Sequence, residues 1–192
     1  MATSKTSYSP IWSAVIALAI TAVALGCGYL LWQSILAPNN PIEKGGVSAA
    51  VPSGWIVQKG IEGETRLFSA SNPLQPHLQY QVLRLPMGDG MGLADVVSGR
   101  NLDRATRLSA YRVLDQVDVQ VGGRSAFKVH FAYVDASAAG SIPVVIEGAD
   151  YYFTDSASVI VASLEDASGN YADSLPKFLD FIGALKFEGG AQ

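Results

Sequence analysis

The sequence predicts an α+β protein: a single N-terminal transmembrane helix followed by an antiparallel β-sheet domain with flanking helices. Three observations carry this reading. An uncharged apolar run fills one end of the chain. The remainder is dominated by short period-two segments separated by glycine and proline turns. Two stretches of helical spacing interrupt and then close that series. Composition agrees. Of 192 residues, 49% are hydrophobic and 16% charged, and mean hydropathy is +0.24. A soluble domain is usually about 25% charged, so the deficit points to a segment that stays outside a globular core. The apolar content excludes a wholly disordered chain. A single cysteine excludes a disulfide scaffold. A net charge of −4 and a pI near 5.1 argue against a nucleic-acid partner.

Residues 1–10 read as a short cytoplasmic tail and 11–36 as the transmembrane helix. From Ile11 to Trp32 there is no charge, and only Ser13 and Thr21 are clearly polar. A helix of that length reaches roughly 33 Å, enough for a hydrocarbon core of about 30 Å. Trp12 and Trp32 stand near its ends, where indoles favour the membrane–water interface. Two other readings compete. Ala22-Val23-Ala24 resembles a signal-peptidase site, but apolar character continues through Trp32. Ala24-Leu25-Gly26-Cys27 resembles a lipobox, but Ala24 replaces the usual leucine. Orientation rests on Lys5 and the α-amino group before the helix, since Glu43 and Lys44 after it cancel. That slight bias puts the N-terminus in the cytoplasm and the domain outside the inner membrane. Ser13, Ala17, Thr21, Ala24 and Gly28 share one helical face. Such a small-residue stripe would let another transmembrane helix dock.

Residues 37–47, with two prolines, two asparagines and Gly45-Gly46, read as an extended linker. Residues 48–187 form the extracytoplasmic domain, and 188–192 a tail. Within the domain, Val47–Val51 and Trp55–Lys59 read as strands around the Pro52-Ser53-Gly54 turn, and Thr65–Ala70 as a third. His77–Leu85 alternates as a fourth. Leu93–Ser109 has helical spacing, with Leu93, Val96, Val97, Leu102 and Ala105 as its apolar stripe. Tyr111–Val121, the Gly122-Gly123 turn and the Phe127–Tyr133 alternation read as a hairpin. Ile142–Ile146 and Ala149–Thr154 read as strands broken by Gly148, and Ser158–Leu164 as a buried strand. Asn170–Leu185 closes the chain as a helix with Pro176 near its first turn. Strands, helix, a long meander, then a helix make an α+β order, not regular βαβ units.

Three phrases carry a family resemblance. They are Val51-Pro52-Ser53-Gly54-Trp55, then Val121-Gly122-Gly123-Arg124-Ser125-Ala126-Phe127, then the closing run Phe178–Phe187. With the element order, they make residues 47–187 resemble the PsbP-like family, whose founding members are extrinsic proteins of photosystem II. The resemblance implies a PsbP-like α/β/α sandwich and a non-enzymatic role in stabilising a larger membrane complex. The membrane helix departs from the peripheral photosystem II members, which suggests a tethered variant.

Signals for chemistry are sparse. His77 and His130 are the only histidines, and no G-x-S-x-G elbow exists. Cysteine and histidine clusters that could hold zinc are absent. Asp150 with Asp155, or Asp166 with Asp173, could offer oxygen ligands to calcium, but without the spacing of a known loop. Gly88-Asp89-Gly90-Met91-Gly92 precedes a helix, yet lacks the third glycine of a dinucleotide fingerprint and the lysine of a phosphate loop. Arg100, Arg104 and Arg107, at spacings of four and three, could present a basic face to an acidic partner or to anionic headgroups. No catalytic residue, metal or cofactor is expected. The expected partners are a membrane protein complex, met by both helix and domain, and the lipid bilayer. The expected function is an accessory subunit or assembly factor, non-enzymatic, serving a photosynthetic or electron-transfer complex. A tethered ligand- or peptide-binding module of the cell envelope is the alternative.

Overall fold

A computed structural model describes residues 10–36, 40–136, 142–155 and 158–187. Helix α1 spans Pro10–Leu36. Strands β1 (Asn40–Lys44), β2 (Val47–Val51), β3 (Ile56–Lys59), β4 (Arg66–Ser71) and β5 (Gln79–Pro86) follow. Then come α2 (Leu93–Arg107) and strands β6 (Ser109–Val121), β7 (Arg124–Asp135), β8 (Val144–Asp155) and β9 (Ser158–Ala167). Helix α3 (Tyr171–Gly183) and a short β10 (Lys186–Phe187) close the chain.

Two antiparallel meanders make one seven-stranded sheet in the order β3-β4-β5-β9-β8-β7-β6. The β3–β5 meander joins the β6–β9 meander along the β5–β9 seam, where Gln79 pairs with Glu165 and Pro86 with Ser158. The connection between meanders carries α2 over one face. Val96 and Val97 of α2 pack there on Leu83, Val129, Tyr152, Val159 and Val161. Helix α3 and a small β1-β2-β10 sheet cover the opposite face, burying Phe68, Tyr80, Leu164, Phe178 and Ile182. The result is three layers, with helices on both sides of an antiparallel sheet. Strand β9 lies at the centre, and Val159 to Leu164 are buried on both faces, which explains its unbroken apolar run.

Three expectations are corrected. Residues 40–44 are not a tether; they form β1, paired with β2 from Asn40↔Val51 to Lys44↔Val47. Gly45 and Gly46 (φ +57° and +73°) are its two-residue turn, a conformation whose twist suits a hairpin. Gly148 does not break a strand. It lies within β8 opposite Phe131, and a Cβ there would come 2.5 Å from the Phe131 ring. Glycine is required by that close approach, not by a turn. Pro176 lies beyond the first turn of α3, which begins at Tyr171.

Helix α1 is present, but among the described residues no helix is long and apolar enough to cross a membrane. The side chains described in α1 run from Ala14 to Tyr29, about 24 Å of helix. All of them are exposed, so none joins either core.

Candidate functional site

Helix α2 places Arg100 and Arg104 one turn apart, over the middle of the large sheet. Beneath them the strand registers bring polar groups together. Asp150 of β8 pairs with Ser163 of β9, and Glu165 of β9 lies between Gly148 of β8 and Gln79 of β5. Arg104 Nη1 donates to Asp150 Oδ2 at 2.5 Å. Its Nη2 lies 3.1 Å from both Asp150 Oδ1 and Ser163 Oγ and 3.2 Å from Glu165 Oε1. Arg100 Nε donates to Asp150 Oδ2 at 2.8 Å. The Ser163 hydroxyl donates to Asp150, and Tyr152 donates to it at 3.1 Å. Glu165 accepts from Gln79 at 2.8 Å and from Tyr133 at 3.1 Å. The Arg104 guanidinium lies 3.9 Å from the centre of the Phe131 ring, the ring for which Gly148 leaves space.

Asp150 is fully buried and Arg104 is 5% exposed. Burial alone would raise the Asp150 pKa; Arg104 and Arg100 outweigh it and hold the carboxyl well below the usual carboxylate range. Burial alone would likewise lower Arg104, but Asp150 and Glu165 raise it. Burial, then the Asp150 charge, pushes the Tyr152 phenol up. Two cations therefore meet two carboxylates. Every acid in the group faces a guanidinium, and the Ser163 hydroxyl faces a carboxylate held ionised by arginine. This arrangement clamps α2 to the sheet.

Beside the clamp, a cleft of about 700 Å³ opens between α2 and strand β5, with Gln81, Leu83, Met91, Arg100, Arg107 and Tyr133 among its walls. Its walls mix polar and apolar side chains.

The expected basic face is therefore divided. Arg104 is buried and Arg100 only 12% exposed, both turned to Asp150. Arg107 stays in solvent and pairs with Asp103. The helical spacing of the three arginines holds, but two of them point at carboxylates of the same chain. In α1, the side chains of Trp12, Ser13 and Trp32 lie outside the described residues. Ala17, Thr21, Ala24 and Gly28 are exposed, and the Thr21 hydroxyl donates back to the Ala17 carbonyl at 3.0 Å. His130 Nε2 lies 2.7 Å from Glu147, with its ring stacked on Tyr171. His77 faces Asp135 at 3.9 Å. Of the four candidate calcium acids, Asp150 and Asp155 pair with arginines and Asp166 accepts from Ser174. No cluster of three or more metal-ligating groups occurs among the described residues. At the start of α2, Asp95 accepts from the Gly92 N–H at 2.8 Å. Its carboxylate thus occupies the place an anion would take.

No family model matches the sequence, and no curated protein matches it either. Solved structures do. The solution structure of cyanobacterial PsbP (CyanoP) from Synechocystis sp. PCC 6803 matches with a TM-score of 0.55 at 11% identity, covering 77% of this chain and 91% of that one. The chain has the PsbP-like fold. A Bacteroides thetaiotaomicron VPI-5482 crystal structure matches at TM-score 0.50 and 12% identity, over 74% of this chain and 45% of that one. The Saccharomyces cerevisiae Ran-binding protein Mog1p matches at TM-score 0.48 and 15% identity, over 77% and 94%. At these identities the likeness speaks for fold alone.

The three phrases of the PsbP-like resemblance meet around α3. Trp55 packs on Tyr80 with ring centres 4.6 Å apart, and Tyr80 meets Phe178 and Phe181 at 4.9 and 5.0 Å. Arg124 Nη2 donates to the Ile182 carbonyl at 2.8 Å, at the C-terminal end of α3 where cations are favoured. Its guanidinium also lies over Phe187 and Phe153. Sequence reading missed Asp150, Ser163, Glu165 and Phe131 as a group. One signal was present: Ser163 and Glu165 continue the alternation of Val159 and Val161 on the α2 face of β9. A polar pair extending a buried period implies an internal partner.

Proposed function

We propose that the chain is a non-enzymatic accessory or stabilising subunit. Helix α1 anchors it in the inner membrane, and its PsbP-like domain lies on the extracytoplasmic side against a larger membrane complex. The photosynthetic or electron-transfer class of complex is the one the family resemblance suggests. The observation that carries this reading is α1. It is 27 residues without a charge, and Val15, Ile16, Leu18, Ile20, Val23 and Leu25 are all more than half exposed. Sequestering each such side chain from water is worth about 1.5–3 kcal/mol. A lipid or helical environment for α1 removes that cost, and Ala17, Thr21, Ala24 and Gly28 offer a surface on which a second helix could pack. The neutralised cluster under α2 suits a rigid adhesive domain. The test is to wash membranes with alkaline carbonate and then solubilise them in mild detergent. The chain is expected to stay with the membranes and to leave them together with other membrane subunits. Release by carbonate refutes the anchor, and purification as a lone polypeptide refutes the accessory role.

A second reading rests on the cleft beside α2. Its volume of about 700 Å³ falls within the usual range of ligand pockets, which favours a tethered ligand-binding module. A co-purifying small molecule seen by native mass spectrometry, and lost on Gln81→Trp, would favour this reading.

A further inference from the structure

We infer that one end of the large sheet, the end at which the chain arrives from α1, seats directly on the lipid surface. This rests on the reading of α1 as an anchor. Antiparallel pairing defines the end: Ile56 pairs with Ser71, Ser71 with Gln79 and Gln79 with Glu165, while β8 and β7 run on in the same direction past Gly148, the partner of Glu165, to the pair Val144–Asp135. The chain reaches the same end. Asn40, first residue of β1, pairs with Val51, which leads through the Pro52–Trp55 turn into Ile56. Only residues 37–39 separate Leu36 from Asn40, so the end of α1 and the start of the sheet are at most about 14 Å apart. A helix that ends in the headgroup layer therefore brings this end of the domain to the membrane.

The surface there is suited to that contact. Leu74 is 88% exposed and Ile142 86%, and Ile56 is also more than half exposed. The loop carrying Leu74, from Asn72 to Leu78, contains no Lys, Arg, Asp or Glu, and Pro143 follows Ile142. Isolated exposed leucines are ordinary. Leu74, Ile142 and Ile56 at one end, next to an apolar helix and beside the His77–Asp135 pair, form a set. The opposite end differs. Its exposed Ile61 is followed by Glu62 and Glu64, and Asp89 lies on the next loop. Partially inserted aliphatic tips beside a spanning helix would fix the tilt of the domain.

The test uses the full chain with Cys27→Ser in phosphatidylcholine vesicles, bearing an environment-sensitive dye at Leu74→Cys, Ile142→Cys or, as control, Ile61→Cys. A quencher carried on the lipid is expected to dim the dyes at 74 and 142 several-fold more than the dye at 61. Aqueous iodide should show the reverse order. Equal quenching at all three positions overturns the inference. If the chain survives a carbonate wash but dyes 74 and 142 behave like dye 61, the seating is wrong and the anchor stands. If the chain does not float with the vesicles, the anchor reading fails and takes the seating with it.

Discussion

Replacing Arg104 with methionine probes the clamp between α2 and the sheet. The arginine contacts Asp150, Ser163 and Glu165 and lies on the Phe131 ring. Methionine keeps much of the stem and its packing but leaves Asp150 with one cation, Arg100, and takes from Glu165 the guanidinium it pairs with. Removing one partner of a buried ion pair costs about 3–5 kcal/mol. Arg100, Ser163 and Tyr152 still reach Asp150, which places the expected loss near about 3 kcal/mol. At about 2–4 °C per kcal/mol for a domain of this size, the melting midpoint should fall by about 6–12 °C. The pH dependence adds a check. In the parent, Asp150 is held below its ordinary range, so its contribution is present above about pH 4 and lost as the pH falls through its lower folded value. In Arg104→Met the largest influence holding Asp150 ionised is gone, so its folded pKa rises toward the unfolded value and less stability is tied to its ionisation. The deficit should therefore hold steady from pH 7 to pH 5 and shrink as the pH falls below about 4. Arg104→Met combined with Asp150→Leu should recover part of the loss, because no unpaired charge is left at either of the mutated positions. Calorimetry and urea unfolding of the detergent-solubilised chain measure all three quantities. A midpoint within 1–2 °C of the parent, or a deficit that grows on acidification, would show that the cluster does not clamp the helix.

Three further outcomes follow from close contacts. Gly148→Ala puts a Cβ 2.5 Å from Phe131 and 2.7 Å from the Leu164 carbonyl; a loss of about 1–3 kcal/mol is expected, with altered near-ultraviolet dichroism. Gly122→Ala should cost more than Gly123→Ala in denaturant unfolding. Both residues have positive φ, but only the first would press on the Gly183 backbone, at 2.9 Å. Arg124→Ala removes a carbonyl bond and two ring contacts; a loss of about 1–2 kcal/mol is expected, and amide exchange should quicken first in the last turn of α3.

Local signals specified most of the architecture. Alternation marked β5 and β7, the paired glycines at 122 and 123 marked the central hairpin, and helical spacing marked α2 and α3. Where reading failed, the deciding contact was distant in sequence. Gly45-Gly46 looks like a flexible link until β2 is known to lie beside β1. Gly148 looks like a breaker until the Phe131 ring is seen to need its space. The polar cluster was the least legible, because its members come from β5, β7, β8, β9 and α2. In sequence, Arg104 reads as one of a row of surface cations. Its burial becomes visible only when β8 and β9 bring Asp150 and Glu165 beneath it.

The β5–β9 seam also bears on how the domain is made. Gln79 and Glu165 lie 86 residues apart, so the first three strands of the large sheet have no central neighbour until β9 has been synthesised. Closing a loop of that length precedes most of the reward for pairing, and topologies of this kind form slowly. The cover of α3 and β10 comes from still later residues. If α1 inserts as it leaves the ribosome, assembly is completed only after translocation, on a chain already confined to two dimensions. The unpaired β5 edge would then be exposed to neighbouring nascent copies for that interval, which makes it the natural point of attack for a chaperone or for aggregation.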